Sequence, residues 1–98
     1  MRQLFAVVRT RGPAWQHGRL LEQQEAWTEH AVFMDDLVED GFVLLGGPLE
    51  GTSDVLLIIR AESPDAIEER LAADVWAKRN LLLPKQTMAW TLRLGTLP

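Results

Sequence analysis

Two kinds of hydrophobic periodicity mark the first half of the chain. Residues 2–9 are apolar on both alternating faces, which is typical of a β-strand covered on most of both sides. Gly12-Pro13 then predicts a loop. Over 19–40 the apolar positions recur at helical spacing and acidic residues occupy the other side, so we predict one long amphipathic helix that Gly41 ends. The apolar stripe of this helix comprises Leu20, Trp27, Ala31, Met34, Leu37 and Val38.

The second half of the chain carries three further predicted strands and a second helix. Continuous apolar residues predict strands over 42–45 and 55–59, with Gly46-Gly47-Pro48 opening the turn region between them. Ser63-Pro64 starts a helix, because serine caps a helix N-terminus and proline fits the first helical position. Residues 87–94 alternate, which predicts a half-buried strand with a buried face formed by Met88, Trp90, Leu92 and Leu94.

The order of these elements predicts the fold class. A β-α-β-β-α-β order indicates an α+β, ferredoxin-like domain over 1–98, with a four-stranded antiparallel sheet and both helices on one face. The other sheet face then lacks cover, although the first three strands are apolar on both sides. An uncovered apolar face of that extent needs a partner. We therefore expect a homodimer that packs sheet face against sheet face as a dimeric α+β barrel and encloses a pocket; the alternative is a monomer.

Composition and charge exclude several classes of protein. The chain has 10 basic and 14 acidic residues, a net charge of −4, which argues against a nucleic-acid or anionic-membrane binder. The absence of cysteine excludes a disulfide scaffold, a thiolate nucleophile and a cysteine-based metal site. No apolar run is long enough for a membrane span or a secretory signal, so we expect a cytoplasmic protein.

Few residues remain that could carry chemistry. His30 falls at the margin of the buried stripe of the first helix, where an imidazole would be partly desolvated. Asp74 precedes a short helical segment, where aspartate is a common N-cap. His17 lies in a polar loop and is best explained as a solvated residue. The two histidines belong to different elements, so the sequence predicts no metal site.

The chain resembles the YCII-related family over nearly its whole length. The family pattern is a helix histidine, an apolar helix, a glycine, a strand and Gly-Pro-Leu, and it is matched here from His30 to Leu49. Residues 71–76 resemble the family's Ala-Asp-Pro-aromatic segment, and residues 88–90 resemble its last strand. This chain departs from the pattern at Val75 and Ala89, where the family commonly has proline.

The resemblance implies a fold, a site and a class of reaction. Members are ferredoxin-like chains that form dimeric α+β barrels, with a histidine–aspartate pair that corresponds here to His30 and Asp74. The pocket that holds a small organic ligand would be lined by Trp15, Trp27, Gly47, Pro48 and Trp76. We expect acid–base chemistry without a cofactor on a cyclic or aromatic compound, of a lyase (dehydrochlorinase) or isomerase type. The alternative is a non-catalytic small-molecule-binding or accessory barrel.

Overall fold

The computed structural model describes residues 2–97. It shows a four-stranded antiparallel sheet with helices on one face. The strand order is β2-β3-β1-β4, so the ferredoxin-like α+β fold predicted from the sequence is confirmed. The elements are β1 (Gln3–Arg11), a 3₁₀ turn (Leu21–Gln23), α1 (Trp27–Glu39), β2 (Val43–Pro48), β3 (Asp54–Ala61), α2 (Pro64–Leu71), α3 (Val75–Lys78) and β4 (Leu82–Trp90).

The main core lies between the sheet and the helices. Phe5 and Val7 of β1 point to the same side as their β3 partners, because directly paired residues share a sheet face. The amphipathic faces of α1 and α2 cover this side. The buried residues of the cluster are Phe5, Val7, Leu37, Phe42, Val43, Leu57, Ile59, Ala61, Ile67 and Leu71.

The first helix is shorter than its periodicity predicts. It begins at Trp27, not near Arg19, and Ala26 before it has a left-handed backbone with φ of 57°. The side chain of Gln24 is buried and donates to the backbone carbonyls of Gln16 and Arg19. These bonds hold the preceding segment outside the helix. Leu20 is consequently 67% exposed and lies outside the buried stripe in which it was predicted.

The second strand is longer than predicted and includes the residues assigned to a turn. Gly46, Gly47 and Pro48 pair with β3. Pro48 fits because β2 is an edge strand, where its missing N–H costs no ladder bond. A Cβ at Gly46 would lie 2.6 Å from Cδ2 of Leu57, so glycine permits this close packing.

The last strand starts earlier than predicted, and the residues predicted to be buried lie on the sheet face away from the helices. It runs from Leu82, and it ends at Trp90. Trp90 pairs with Leu4 and Met88 with Ala6, on the face opposite to the helices, and the two side chains are 38% and 39% exposed. The expectation that they are buried in the core is therefore wrong. Alternation alone cannot say which side of a strand faces the helices.

The sheet face away from the helices is mostly apolar, although Arg60 opposite Leu4 and Gln86 opposite Val8 also lie on it. Its residues from all four strands are exposed or half-buried except Ile58, which is buried among them. The apolar residues of this open sheet face are Leu4, Ala6, Val8, Leu45, Leu56, Ile58, Met88 and Trp90. Within residues 2–97 the helices leave it uncovered.

The loop after β1 packs closely against the segment before β4. Gly12 donates from its N–H to the carbonyl of Leu81 at 2.9 Å, and a Cβ at Gly12 would overlap the carbonyl oxygen of Asn80. We expect Gly12→Ala to lower the free energy of unfolding by ~1–3 kcal/mol, the usual cost of overpacking. Gly47→Ala is the control, because a Cβ there meets nothing within 4 Å. Equal denaturant midpoints for the two variants would contradict the close approach.

Candidate functional site

A buried histidine–aspartate pair joins α1 to the start of α3. His30 Nδ1 donates to Asp74 Oδ2 at 2.7 Å, and His30 and Asp74 are only 9% and 4% exposed. The other carboxylate oxygen, Oδ1, accepts from the backbone N–H of Trp76 at 3.2 Å. The sequence left the helix cap and the histidine partner as alternatives for Asp74. The structure shows that its two oxygens make both contacts.

The imidazole of His30 is also held by an aromatic ring. It stacks on the indole of Trp76 with 3.7 Å between ring centroids and 7° between planes. Trp76 is 2% exposed, and its Nε1 donates to the carbonyl of Glu25 at 2.6 Å. Because both the indole and the carboxylate are themselves anchored, the imidazole has one fixed orientation.

The orientation leaves one ring nitrogen for a bound molecule. An ionised carboxylate can only accept a hydrogen bond, so the contact with Asp74 places the proton on Nδ1 of a neutral imidazole. Nε2 of His30 then carries the lone pair. Within residues 2–97 Nε2 makes no hydrogen bond, and it is not among the fully buried polar atoms that lack a partner. Nε2 is therefore not fully buried, and His30 lines the cavity described next.

The pair opens onto a cavity of about 220 Å³ between the helix side of the sheet and α1 and α3. An apolar cavity of about 150 Å³ is large enough for benzene, so a small substituted ring fits. All seven residues proposed from the sequence line this cavity: Trp15, Trp27, His30, Gly47, Pro48, Asp74 and Trp76. Residues of one chain line the cavity on the helix side of the sheet, whereas we expected a pocket enclosed by two paired sheets.

The tryptophans form one connected cluster around the pair. Trp15 meets Trp76 edge-on at 5.3 Å, and Trp27 is tilted against Trp76 at 5.8 Å and against His30 at 6.0 Å. Gln24 holds the loop that carries Trp15, since its amide both donates to and accepts from the backbone of Gln16. This role of Gln24 was not predicted, because no motif or periodicity marks a side chain that bonds to the backbone of a neighbouring loop.

Two arginines that line the cavity were not predicted as site residues from the sequence. Arg9 and Arg11 line it from β1, on the same side as Val7. Arg9 is 3% exposed and donates to Glu68 at 3.1 Å, and the guanidinium of Arg11 lies 4.4 Å from the Trp15 ring centroid. The alternation of β1 carried the signal: every second residue from Phe5 faces inward.

Other features of the sequence lie outside this site. His17 is exposed in its loop. Within residues 2–97, no group of three or more His, Asp or Glu side chains is arranged to hold a metal ion. Over the same residues, the helices are too short or too polar to cross a membrane.

Comparison with known proteins finds similarity at the level of structure. No protein-family model matches the chain, and no curated protein matches it. A solved structure that it resembles is the 5-chloro-2-hydroxyhydroquinone dehydrochlorinase of Burkholderia phenoliruptrix in complex with 2,5-dihydroxybenzoquinone. The TM-score is 0.63 at 22% sequence identity, over 95% of this chain and 96% of the other. This likeness shows a shared fold.

The two contacts of Asp74 predict a specific response to Asp74→Asn. The amide oxygen can still cap α3, but the amide N–H₂ then faces Nδ1 of His30. We expect the neutral imidazole to change from the Nδ1–H to the Nε2–H tautomer, as read from ¹⁵N chemical shifts of the ring. The free energy of unfolding should change little in Asp74→Asn. Asp74→Ala should lower it by ~1 kcal/mol through loss of the helix cap, and further through loss of the bond to His30. An unchanged tautomer in Asp74→Asn would contradict the pair.

Proposed function

We propose that this protein is an enzyme that moves protons on a small cyclic or aromatic compound without a cofactor. The observation that carries this proposal is the Nε2 of a buried histidine, oriented by a carboxylate and facing an aromatic-walled cavity. His30 is the general base or acid. Asp74 is a positioning residue that selects the tautomer and stabilises the imidazolium when it forms.

The walls of the cavity favour a flat ring as substrate. Three tryptophans and several aliphatic side chains line it, and apolar walls with a few polar groups are typical of small-molecule sites. A ring bound here is largely removed from water, which strengthens its electrostatic interactions with the pair.

A dehydrochlorination or an isomerisation suits this arrangement. Both reactions begin when a base takes a proton from the ring or its hydroxyl group. Net loss of one proton and one chloride converts a chlorinated hydroxyquinol into a hydroxyquinone, so atoms and electrons balance without an external oxidant. The fold shared with a dehydrochlorinase that binds a dihydroxybenzoquinone supports the lyase type.

Turnover of defined compounds tests the reaction. Chloride release and absorbance changes are measured with 5-chloro-2-hydroxyhydroquinone, and absorbance changes with muconolactone. His30→Gln should lower kcat/KM by ~10²–10⁴, the contribution of a general acid or base. His17→Gln is the matched control and should leave the activity unchanged, because His17 is exposed outside the cavity. Binding of these compounds without turnover would instead favour the ligand-binding alternative.

We further propose that the protein is a homodimer through the open sheet face. This face presents apolar residues from all four strands, and monomeric proteins rarely expose apolar patches of this extent. The resemblance to dimeric α+β barrels supports the same contact. One chain supplies the residues that line the cavity, and pairing would stabilise the sheet that forms its floor.

A charge in the open sheet face should separate the two subunits. We expect the wild type to sediment as a dimer at micromolar concentration, with an interface above ~1,000 Å². Trp90→Glu should sediment as a monomer, because pairing would bury an unpaired carboxylate. Val32→Glu, at a position that is 56% exposed on α1, is the control and should remain a dimer. A monomeric wild type would refute the proposal.

A further inference from the structure

The cavity contains a cationic group that the acid–base chemistry of the pair does not use. Arg9 and Arg11 alternate along β1 and both line the cavity. The charge of Arg9 is balanced, since its Nη1 lies 3.1 Å from the Glu68 carboxylate. Within residues 2–97, Arg11 forms no ion pair, and its Nε is a buried polar atom without a hydrogen-bond partner. Within the same residues the two Nη atoms of Arg11 make no hydrogen bond and are not fully buried, so a ligand in the cavity can reach them although it cannot reach Nε.

The guanidinium of Arg11 is held in place by an aromatic ring. It lies over Trp15 at 4.4 Å from the centroid, a cation–π contact that restrains the side chain. A planar guanidinium presents paired N–H donors that match the two oxygens of a carboxylate, and the same donors can both bind the single oxygen of an ionised hydroxyl. This contact therefore helps to position Arg11 to donate to an anionic oxygen of a ligand.

The carboxylates on the same cavity do not neutralise this cation. Asp74 is engaged by His30 and by the backbone of Trp76. Asp35 also lines the cavity but is exposed, so water screens its charge. The remaining lining is largely apolar, and an anion in such surroundings interacts strongly with a nearby cation.

We propose that Arg11 binds an anionic oxygen of the ligand, so that the substrate is a cyclic or aromatic acid or an ionised phenol. Arg11 then holds the charged end of the ring while Nε2 of His30 faces the same cavity. The description of this ligand as a substrate rests on the proposed function. The anion site itself rests on Arg11 and is tested by binding alone.

Binding of matched charged and neutral probes tests the anion site. Isothermal titration calorimetry compares benzoate with benzamide, and 4-nitrophenolate with 4-nitroanisole. We expect wild-type protein to bind at least one anion about tenfold or more tightly than its neutral counterpart, as for a charge-assisted hydrogen bond. A preference for benzoate identifies a carboxylate site, and a preference for 4-nitrophenolate identifies a site for ionised hydroxyls.

Variants at Arg11 then assign the preference to this residue. Arg11→Met should abolish the preference, and Arg11→Lys should retain part of it while keeping the fold. Arg93→Met is the control, because it also removes one positive charge but lies beyond the end of β4. Arg11 pairs with Leu82 at the other end of that strand, so Arg93→Met should leave the preference for the anion intact. A preference that is absent in wild type, or unchanged in Arg11→Met with a normal thermal melt, overturns the inference.

A variant of the proton-transfer group separates this inference from the proposed function. His30→Gln should retain the preference for the anion, because it leaves Arg11 and Trp15 unchanged. If no compound is turned over but the preference requires Arg11, the anion site stands and the proposed catalysis fails. If turnover requires His30 but neutral and anionic probes bind equally, the catalysis stands and the anion site fails.

Discussion

The carboxylate of Asp74 is the contact on which the arrangement of the site depends. One oxygen caps α3 and the other accepts from His30 on α1, so a single side chain fixes two helices relative to each other. The cap also sets the position of Trp76, whose indole stacks on the same imidazole. Since His30, Asp74 and Trp76 constrain one another, displacement of any one changes the orientation of the histidine.

Alternating residues of β1 contribute to the two different faces of the sheet. Phe5, Val7, Arg9 and Arg11 face the helices, and they pass from the apolar core to the floor of the cavity. The intervening residues contribute to the open sheet face. The period of two along a strand thus lets one segment stabilise the core, supply cationic groups to a cavity and present an apolar outer surface.

Local structure around the cavity depends on side-chain contacts that hydrophobic periodicity does not reveal. Gln24 binds the loop that carries Trp15, and the same contacts exclude residues before Trp27 from α1. The helical periodicity of 19–40 was therefore misleading in its first turns. Strand boundaries shifted for a similar reason, because ladder pairing with β3 and β1 extends β2 to Pro48 and starts β4 at Leu82.

The sequence alone determined the order of elements, and with it the four-stranded antiparallel sheet, because periodicity and caps such as Ser63 are local signals. It also drew attention to His30 and Asp74 through a family resemblance. Only the tertiary structure decided that the two side chains touch, that Trp90 lies on the open sheet face, and that Arg11 enters the cavity. The physical reason is that pairing register and side-chain burial arise from residues far apart in sequence, which local patterns do not encode.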